Sequence, residues 1–194
     1  SMNIKTKALR HEVHHVPSPP GIDFEKDGLH TSDSDLAIYV RPESGNNILI
    51  GSEDPTCDEQ VWVDDPDDYD NVVSDEQWNA QVLRLARRMP DLGIPNEKKG
   101  IVDLYDVSDD WIPIYDRTDL DGFYVAIGSS GNQFKNAPVA GRCMAGLIGA
   151  VEGGPDHDAD PLVVTGVPTG LEMDMGFYRR TREINPDSSF SVNG

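Results

Sequence analysis

One amphipathic helix stands out from a sequence that otherwise consists of short apolar runs and turns. Ser74 and Gln77 have the spacing of a capping box, and Pro90 follows the last helical position, Met89. Apolar residues recur at helical spacing between these limits, at Trp78, Val82, Leu85 and Met89. A helix of this kind buries its apolar face against a sheet or another helix, and the short apolar runs elsewhere in the chain supply strands for a sheet. The chain is therefore predicted to be α+β, with a mixed, mostly antiparallel sheet flanked by helices.

The remaining apolar runs predict the strands of that sheet. Residues 35–53 predict a hairpin, because Leu36–Val40 and Ile48–Ile50 flank the turn sequence PESGNN. Residues 100–107 (GIVDLYDV) predict a further strand. Residues 122–128 (GFYVAIG) are almost continuously apolar, which predicts a strand in a buried position.

A second helix is predicted around Pro138, and its composition is unusual. Small residues fall four apart along one stripe, at Ala137, Gly141, Ala145 and Gly149. Each glycine inside a helix costs about 0.5–1 kcal/mol relative to alanine, so the stripe needs a reason. Either the helix packs tightly on a sheet, or a ligand or another domain approaches its backbone.

Residues 11–15 (HEVHH) match the pattern H-E-x-x-H, which on a helix forms the zinc site of a metalloprotease. Residues 4–16 carry β-branched side chains and no helix-start signal, and Pro17 follows directly. In a strand, His11 and His15 share a face but lie too far apart for one tetrahedral zinc without further ligands. The segment is therefore predicted to be a strand with polar histidines and no bound metal.

Composition narrows the classes of function. The chain has 16 basic and 35 acidic residues and a net charge of −19, which argues against a nucleic-acid partner. No apolar run is long enough to span a membrane and no signal peptide is visible, so a cytoplasmic location is expected. Cys57 and Cys143 are too few for a disulfide framework or a metal knuckle. The Asp-rich residues 61–76 lack the register of a calcium loop and are interpreted as a solvated acidic loop.

Downstream of the long helix, several motifs follow one another in a specific order. They are Tyr105, residues 108–114 (SDDWIPI), the strand Phe123–Ile127, and Gly128–Lys135 (GSSGNQFK). This order resembles the C-terminal part of the D-amino-acid oxidase superfamily of flavoproteins, which includes sarcosine oxidase, glycine oxidase and dimethylglycine dehydrogenase. The counterparts there are a tyrosine, a Thr-Pro-Asp-x-x-Pro-Ile segment, a strand and Gly-Phe-Ser-Gly-His-Gly-Phe-Lys. Two weaker likenesses are Tyr39–Gly51, to the family's substrate-domain hairpin, and Asp160-Pro161, to its closing turn.

The resemblance implies an FAD-dependent oxidoreductase that oxidises the C–N bond of an N-methylated amino acid or related amine, such as sarcosine or dimethylglycine. Hydride transfer to the flavin gives an imine, which hydrolyses. Lys135 would bind the substrate carboxylate, or else cap a solvated helix, and Tyr39 and Tyr105 would line the pocket. The resemblance implies that a turn lies along the isoalloxazine ring and consists of Gly128, Ser129, Ser130, Gly131 and Asn132. The alternative is that this turn is an ordinary strand–helix loop.

Several positions depart from the family's pattern. Covalent-flavin sarcosine oxidases carry a cysteine where this chain has Asp103, so the resemblance implies non-covalent FAD. Glycine and D-amino-acid oxidases carry a carboxylate-binding arginine where this chain has Tyr105, which favours secondary or tertiary amines as substrates. Asn132 and Gln133 replace the family's His-Gly, which alters the expected pocket.

The family's Gly-x-Gly-x-x-Gly fingerprint, which cradles the FAD pyrophosphate, does not occur in this sequence. The resemblance therefore implies the C-terminal half of a flavoenzyme, inactive by itself, whose partner is the N-terminal dinucleotide-binding half. Residues 1–2 are interpreted as a tag scar, 3–117 as part of the substrate-binding domain, and 118–194 as the C-terminal part of the FAD-binding domain. The alternative is a flavin-free interaction module that retains the family fold, and an upstream fingerprint in the complete reading frame would exclude it.

Overall fold

The computed structural model describes residues 2–167 and 169–192, and it has the α+β fold predicted from the sequence. The chain divides into two compact units. Unit one contains the chain from Tyr105 onward together with the first residues up to Ala8, and unit two contains Leu9–Leu104. Ser1, half of the interpreted tag scar, lies outside the described residues.

Short strands dominate the described structure. The helices are α1 (Phe24–Asp27), α2 (Asp75–Arg88) and α3 (Ala137–Glu152), with 3-10 turns at Phe134–Asn136 and Met175–Tyr178. The first strands are β1 (Thr6–Pro17), β2 (Thr31–Asp33), β3 (Ile38–Glu43), β4 (Asn47–Ser52) and β5 (Val61–Val63). The later strands are β6 (Gly100–Ser108), β7 (Ile114–Arg117), β8 (Tyr124–Ile127), β9 (Val163–Thr165) and β10 (Glu172–Asp174). Among the described residues, no helix combines the length and apolarity needed to cross a bilayer.

Unit two is built on a sheet in the order β2-β3-β4-β1-β5, with β6 also paired to β1. The ladders β2–β3, β3–β4 and β1–β4 are antiparallel. The predicted hairpin is confirmed, since β3 and β4 pair from Ile38 opposite Ser52 to Glu43 opposite Asn47. Its turn is shorter than the sequence indicated, because only Ser44–Asn46 lie between the strands.

Helix α2 packs on one face of this sheet, as its apolar stripe predicts. Ser74 caps the helix, because its hydroxyl accepts a hydrogen bond from the Gln77 amide at 3.1 Å. The second half of the predicted capping box is wrong, since the Ser74 amide donates to Glu12 Oε2 at 2.9 Å. The buried cluster between helix and sheet includes Trp78, Val82, Leu85, Ile38, Val40, Ile48 and Ile50.

A buried polar network joins β1 to α2. Glu12, His14 and Gln81 are each at most 2% exposed. Gln81 Nε2 donates to the Glu12 carbonyl at 3.1 Å, which turns Gln81 Oε1 toward His14 Nδ1 at 2.8 Å. Burial raises the pKa of Glu12, but hydrogen bonds from His14, Ser74 and Arg10 outweigh it and lower that pKa to about 2. His14 Nε2 lies 3.2 Å from the Glu12 carboxylate, so His14 bridges Gln81 and Glu12 through its two ring nitrogens.

Unit one contains the antiparallel pair β7–β8, with α3 packed against β7. The prediction of a buried strand over residues 123–127 is wrong in its burial. The strand begins at Tyr124, Ala126 is exposed, and Phe123 is 55% exposed. The reason is that β8 pairs with β7 on one side and with no other strand among the described residues.

Buried ion pairs hold the end of the chain within unit one. Arg182 donates to both carboxylate oxygens of Asp110, at 3.1 and 2.7 Å, and Arg180 pairs with Asp116 at 3.0 Å. Both aspartates are 0% exposed. Removing one partner would leave a buried charge without compensation, so these pairs fix the path of the chain beyond Tyr178.

Candidate functional site

The turn after β8 has a backbone conformation that favours small residues. Gly128, Ser130 and Gly131 have positive φ angles of 69°, 49° and 76°. The Ser130 side chain is fully buried, where it donates to the Gly128 carbonyl and accepts from the Ser108 amide. The predicted order of strand, Gly-Ser-Ser-Gly turn and helix is therefore present.

Only some of the backbone amides in this turn are used internally. The Gly128 amide donates to the Asp106 carboxylate, and the Ser130 amide donates to the Asp106 carbonyl at 2.8 Å. The amides of Ser129 and Gly131 meet no acceptor among the described residues, and both residues are exposed. Two amides are thus available to an external acceptor such as a ring carbonyl.

Tyr105 and Gly131, both predicted site residues, lie against each other in unit one. A Cβ atom on Gly131 would overlap the Tyr105 ring. Gly128 is less crowded, since a Cβ there would lie 3.0 Å from the Ser108 Cβ. Position 131 therefore needs glycine for space as well as for its φ angle.

Lys135 lies in the 3-10 turn that precedes α3 and is exposed. Its ammonium donates to the Asn132 carbonyl at 3.0 Å, which keeps it beside the Gly-Ser-Ser-Gly turn. The lysines that form ion pairs among the described residues are Lys98 and Lys99, so Lys135 has no carboxylate partner there. This arrangement leaves the charge of Lys135 open to an anionic group.

A cavity of about 400 Å³ lies next to the turn in unit one. Asn132, Gln133 and Asn136 line the side that follows the turn. The aromatic walls are Trp111, Tyr115, Phe177 and Tyr178, and the C-terminal segment adds Asn185, Asp187, Ser188 and Ser189. Lys135 is not part of the lining, and neither is any Arg or His among the described residues. With Asp187 in the lining and no cationic side chain, the cavity disfavours a carboxylate ligand.

The ionisable side chains in the aromatic wall are held in their uncharged forms. Burial raises the pKa of Tyr115 to about 12, and the neighbouring Tyr178 and Cys143 add to the shift. Burial also raises the pKa of Tyr178 and of the Cys143 thiol. The Tyr115 hydroxyl therefore stays protonated at neutral pH and donates to Gln133 Oε1 at 3.1 Å.

The residues that line this cavity were not predicted as a site from the sequence. Trp111 falls within the quoted SDDWIPI segment, but no spacing rule places it beside Tyr115 or Tyr178. Its φ angle of 62° is unusual for a large side chain and is not readable from the sequence. The one sequence feature that could have indicated this cavity is the pair of adjacent aromatic residues within residues 175–180 (MGFYRR).

The small-residue stripe of α3 is exposed. A Cβ added to Gly141 or Gly149 would meet nothing within 4 Å. The buried residues of this helix, Cys143 and Leu147, lie on another face. The predicted tight packing of the stripe on a sheet is therefore wrong for the described residues. The alternative, that a ligand or another domain approaches the stripe, stays a prediction.

Tyr39, the third predicted catalytic residue, lies in unit two. It pairs with Gly51 across the β3–β4 ladder, and its ring occupies the space that a Cβ on Gly51 would need. The ring also meets His30 edge-on, with centroids 5.8 Å apart. Its predicted contact with substrate stays a prediction.

The H-E-x-x-H residues lie on β1, so the strand prediction is confirmed. His11 Nε2 lies 3.1 Å from Asp54 Oδ1, while His14 belongs to the network with Glu12 and Gln81. In the part of the chain that the structure describes, no group of three or more His, Cys, Asp or Glu side chains is arranged to hold a metal.

Residues 2–147 match the family described as FAD dependent oxidoreductase (DAO). The match covers most of the chain, including β1, α2, the Gly-Ser-Ser-Gly turn and most of α3. This chain belongs to the FAD-dependent oxidoreductase family, and the predicted membership is confirmed. No curated protein matches the sequence.

Three solved structures share the fold. L-proline dehydrogenase from P. horikoshii is 19% identical, with a TM-score of 0.59 over 78% of this chain and 38% of its own. Iminodiacetate oxidase from Chelativorans sp. BNC1 is 14% identical, with a TM-score of 0.57 over 93% of this chain and 41% of its own. Glycine oxidase from Geobacillus kaustophilus is 19% identical, with a TM-score of 0.57 over 95% of this chain and 41% of its own. The chain thus spans about two fifths of the length of each of these proteins.

Proposed function

We propose that this chain forms part of an FAD-dependent oxidoreductase that oxidises the C–N bond of an N-methylated amino acid or a related amine. The observation that carries the proposal is the Gly128–Gly131 turn within the family match. It presents two amides without acceptors, and Lys135 follows it. The names of the three structural relatives, a dehydrogenase and two oxidases, agree with this class of reaction.

The residues around the turn suit FAD. The amides of Ser129 and Gly131 would donate to carbonyl oxygens of the ring, and the absence of a Cβ at Gly131 leaves room for Tyr105 beside it. Gly128, Ser130 and Asn132 would complete the turn along the ring. When bound, FAD supplies the two-electron acceptor, while the protein orients the substrate and excludes competing reactions.

The predicted substrate contacts follow from charge and position. Lys135 would bind a substrate carboxylate as a point charge, because it has no carboxylate partner among the described residues. The substrate loses a hydride and a proton, and water then hydrolyses the resulting imine to an amine and an aldehyde. Tyr105 and Tyr39 are proposed as substrate-contacting residues.

The partner we propose is a dinucleotide-binding half with its own Gly-x-Gly-x-x-Gly turn for the pyrophosphate. Two features of unit one support an interface with it. The stripe at Gly141 and Gly149 is open, and the outer edge of β8 is uncovered among the described residues. Non-covalent attachment of FAD is proposed because Asp103 stands at the position of the family's flavin-linked cysteine.

The test uses the protein that carries this chain together with the dinucleotide-binding half. Sarcosine should be converted to glycine and formaldehyde, and dimethylglycine to sarcosine and formaldehyde. Glycine, which lacks the N-methyl group, is the matched control and should react far more slowly. Equal turnover of glycine would contradict the N-methyl assignment. A protein that binds no FAD would favour the flavin-free interaction module.

A further inference from the structure

The sheet of unit two has two different faces. The face that carries Ile38, Ile48 and Ile50 packs against α2. The opposite face carries Tyr39, Gly51 and Val13, which lie side by side in the registers of β3, β4 and β1. Because strand side chains alternate, the residues two positions further along each strand belong to this same face.

Two positions beyond Gly51 and Val13, this face reaches Glu53 and His11, and Asp54 joins them through its contact with His11. The β1–β4 register, extended by two residues, brings His11 opposite Glu53. The Glu53 amide donates to the Ala37 carbonyl at 3.0 Å, which continues the β3–β4 pairing. Asp54 follows directly, and its Oδ1 lies 3.1 Å from His11 Nε2.

Both carboxylates are buried without full compensation. Glu53 is 6% exposed, and the Asp54 side chain is 9% exposed. Glu53 Oε1 and Asp54 Oδ2 are buried oxygens with no hydrogen-bond partner among the described residues. By contrast, the nearby Asp58 is paired with Arg84. No Lys or Arg in the described part of the chain pairs with Glu53 or Asp54.

Two buried carboxylate oxygens without hydrogen-bond partners destabilise the folded chain. A buried carboxylate oxygen without a donor loses its hydration and gains nothing in return. Chains retain such groups mainly at functional sites, where a ligand supplies the missing partner. The partner that suits two carboxylate oxygens is a cation with N–H donors, because charge-assisted hydrogen bonds are the strong ones.

We propose that Glu53 and Asp54 form the subsite that receives the protonated amine of the substrate, on the Tyr39 face of the sheet. The ammonium N–H groups would donate to Glu53 Oε1 and Asp54 Oδ2. The Tyr39 ring lies two positions away on the same face and offers an aromatic surface to N-methyl groups on a cation. The exposed residues Thr56 and Cys57 follow after Pro55, so the pair lies close to solvent along the chain. This subsite rests on the proposed amine oxidation and makes Glu53 its specificity-determining residue.

The first test measures binding and stability on this chain. Dimethylammonium chloride supplies a cation without a carboxylate. It should raise the midpoint of thermal unfolding of the wild type relative to sodium chloride at the same concentration. Glu53→Gln should abolish that shift without lowering the midpoint measured in the absence of ligand, because Glu53 Oε1 makes no hydrogen bond that the substitution could break. Sodium propionate, an anion without an amine, should have no effect on either protein. Glu43→Gln, on the same hairpin but partly exposed and paired with Arg41, is the matched control and should retain the shift.

The second test uses the protein with the dinucleotide-binding half. Glu53→Gln should lower kcat/KM for sarcosine by roughly 10- to 100-fold through KM. Asp54→Asn provides an independent variant should Glu53→Gln fail to fold, and the same loss is expected. If amines are oxidised equally well by wild type and both variants, the subsite is wrong while the proposed function stands. If no amine is oxidised but dimethylammonium still binds through Glu53, the subsite stands and the proposed function is wrong.

Discussion

Replacing Glu12 with glutamine should remove a large part of the stability of unit two. The Glu12 carboxylate accepts hydrogen bonds from the Ser74 amide, His14 Nε2 and Arg10, and it is 2% exposed. Burial acts to raise the pKa of Glu12, but these donors lower it from 4.5 to about 2. A difference of this size corresponds to about 3 kcal/mol of stability at neutral pH.

The sign of the pH dependence follows from the lowered pKa. Stability from Glu12 is fully present above the unfolded value of 4.5 and is lost as the pH falls toward about 2. The free energy of unfolding should therefore differ between wild type and Glu12→Gln by about 3 kcal/mol at pH 7, and by roughly 1.5 kcal/mol at pH 3.

Urea unfolding at several pH values, followed by far-UV circular dichroism and tryptophan fluorescence, measures this difference. Trp78 is a suitable reporter because it is buried and meets His14 edge-on at 5.4 Å. Glu59→Gln, at an exposed position in the same unit, is the control and should leave the free energy of unfolding nearly unchanged. Equal stability of Glu12→Gln and wild type at pH 7, or a difference that grows on acidification, would show that the ionised Glu12 carboxylate does not stabilise unit two.

Three further predictions concern unit one. Gly131→Ala should lower the free energy of unfolding by about 1–3 kcal/mol, because its Cβ would overlap Tyr105 at a φ of 76°; an unchanged denaturation midpoint would contradict this. Lys135→Met, in the protein with both halves, should lower kcat/KM for sarcosine by roughly 10- to 100-fold, and much less for dimethylamine. An equal loss on both amines would assign Lys135 to the fold or the flavin. Ala145→Leu should leave this chain's stability within about 0.5 kcal/mol yet weaken its association with the dinucleotide-binding half, whereas unchanged association would remove the α3 stripe from the interface.

Local patterns predicted the elements whose stabilising contacts are close in sequence. The helix predicted from Ser74 to Met89 has its cap, its apolar stripe and its terminating proline all within residues 74–90. The hairpin likewise follows from two apolar runs and a turn. The strand at His11–His15 follows because prolines exclude the helix that the zinc pattern requires.

Partners distant in sequence account for what could not be predicted. The Ser74 amide bonds to Glu12, 62 residues away, rather than to Gln77. Gln81 lies on the packed face of α2 because His14 and the Glu12 carbonyl satisfy its amide. β8 is exposed because no second strand pairs with it in the part of the chain that the structure describes, and no apolar run can indicate this.

The candidate site residues likewise divide into those that are adjacent in sequence and those that only the fold brings together. The Gly-Ser-Ser-Gly turn and Lys135 are adjacent in sequence and also in the structure. The aromatic cavity joins Trp111 to Tyr178, and the carboxylates Glu53 and Asp54 meet His11 across the sheet. These sets come together only through tertiary structure, so spacing rules do not reveal them.

We propose that this chain serves an FAD-dependent oxidation of amines. The most direct measurement mixes the protein carrying both halves with sarcosine in the absence of oxygen and follows the visible absorbance of bound flavin. Sarcosine should reduce the flavin completely, and one equivalent of formaldehyde should appear per flavin. A protein that holds no flavin, or whose flavin stays oxidised with sarcosine and dimethylglycine, would contradict it.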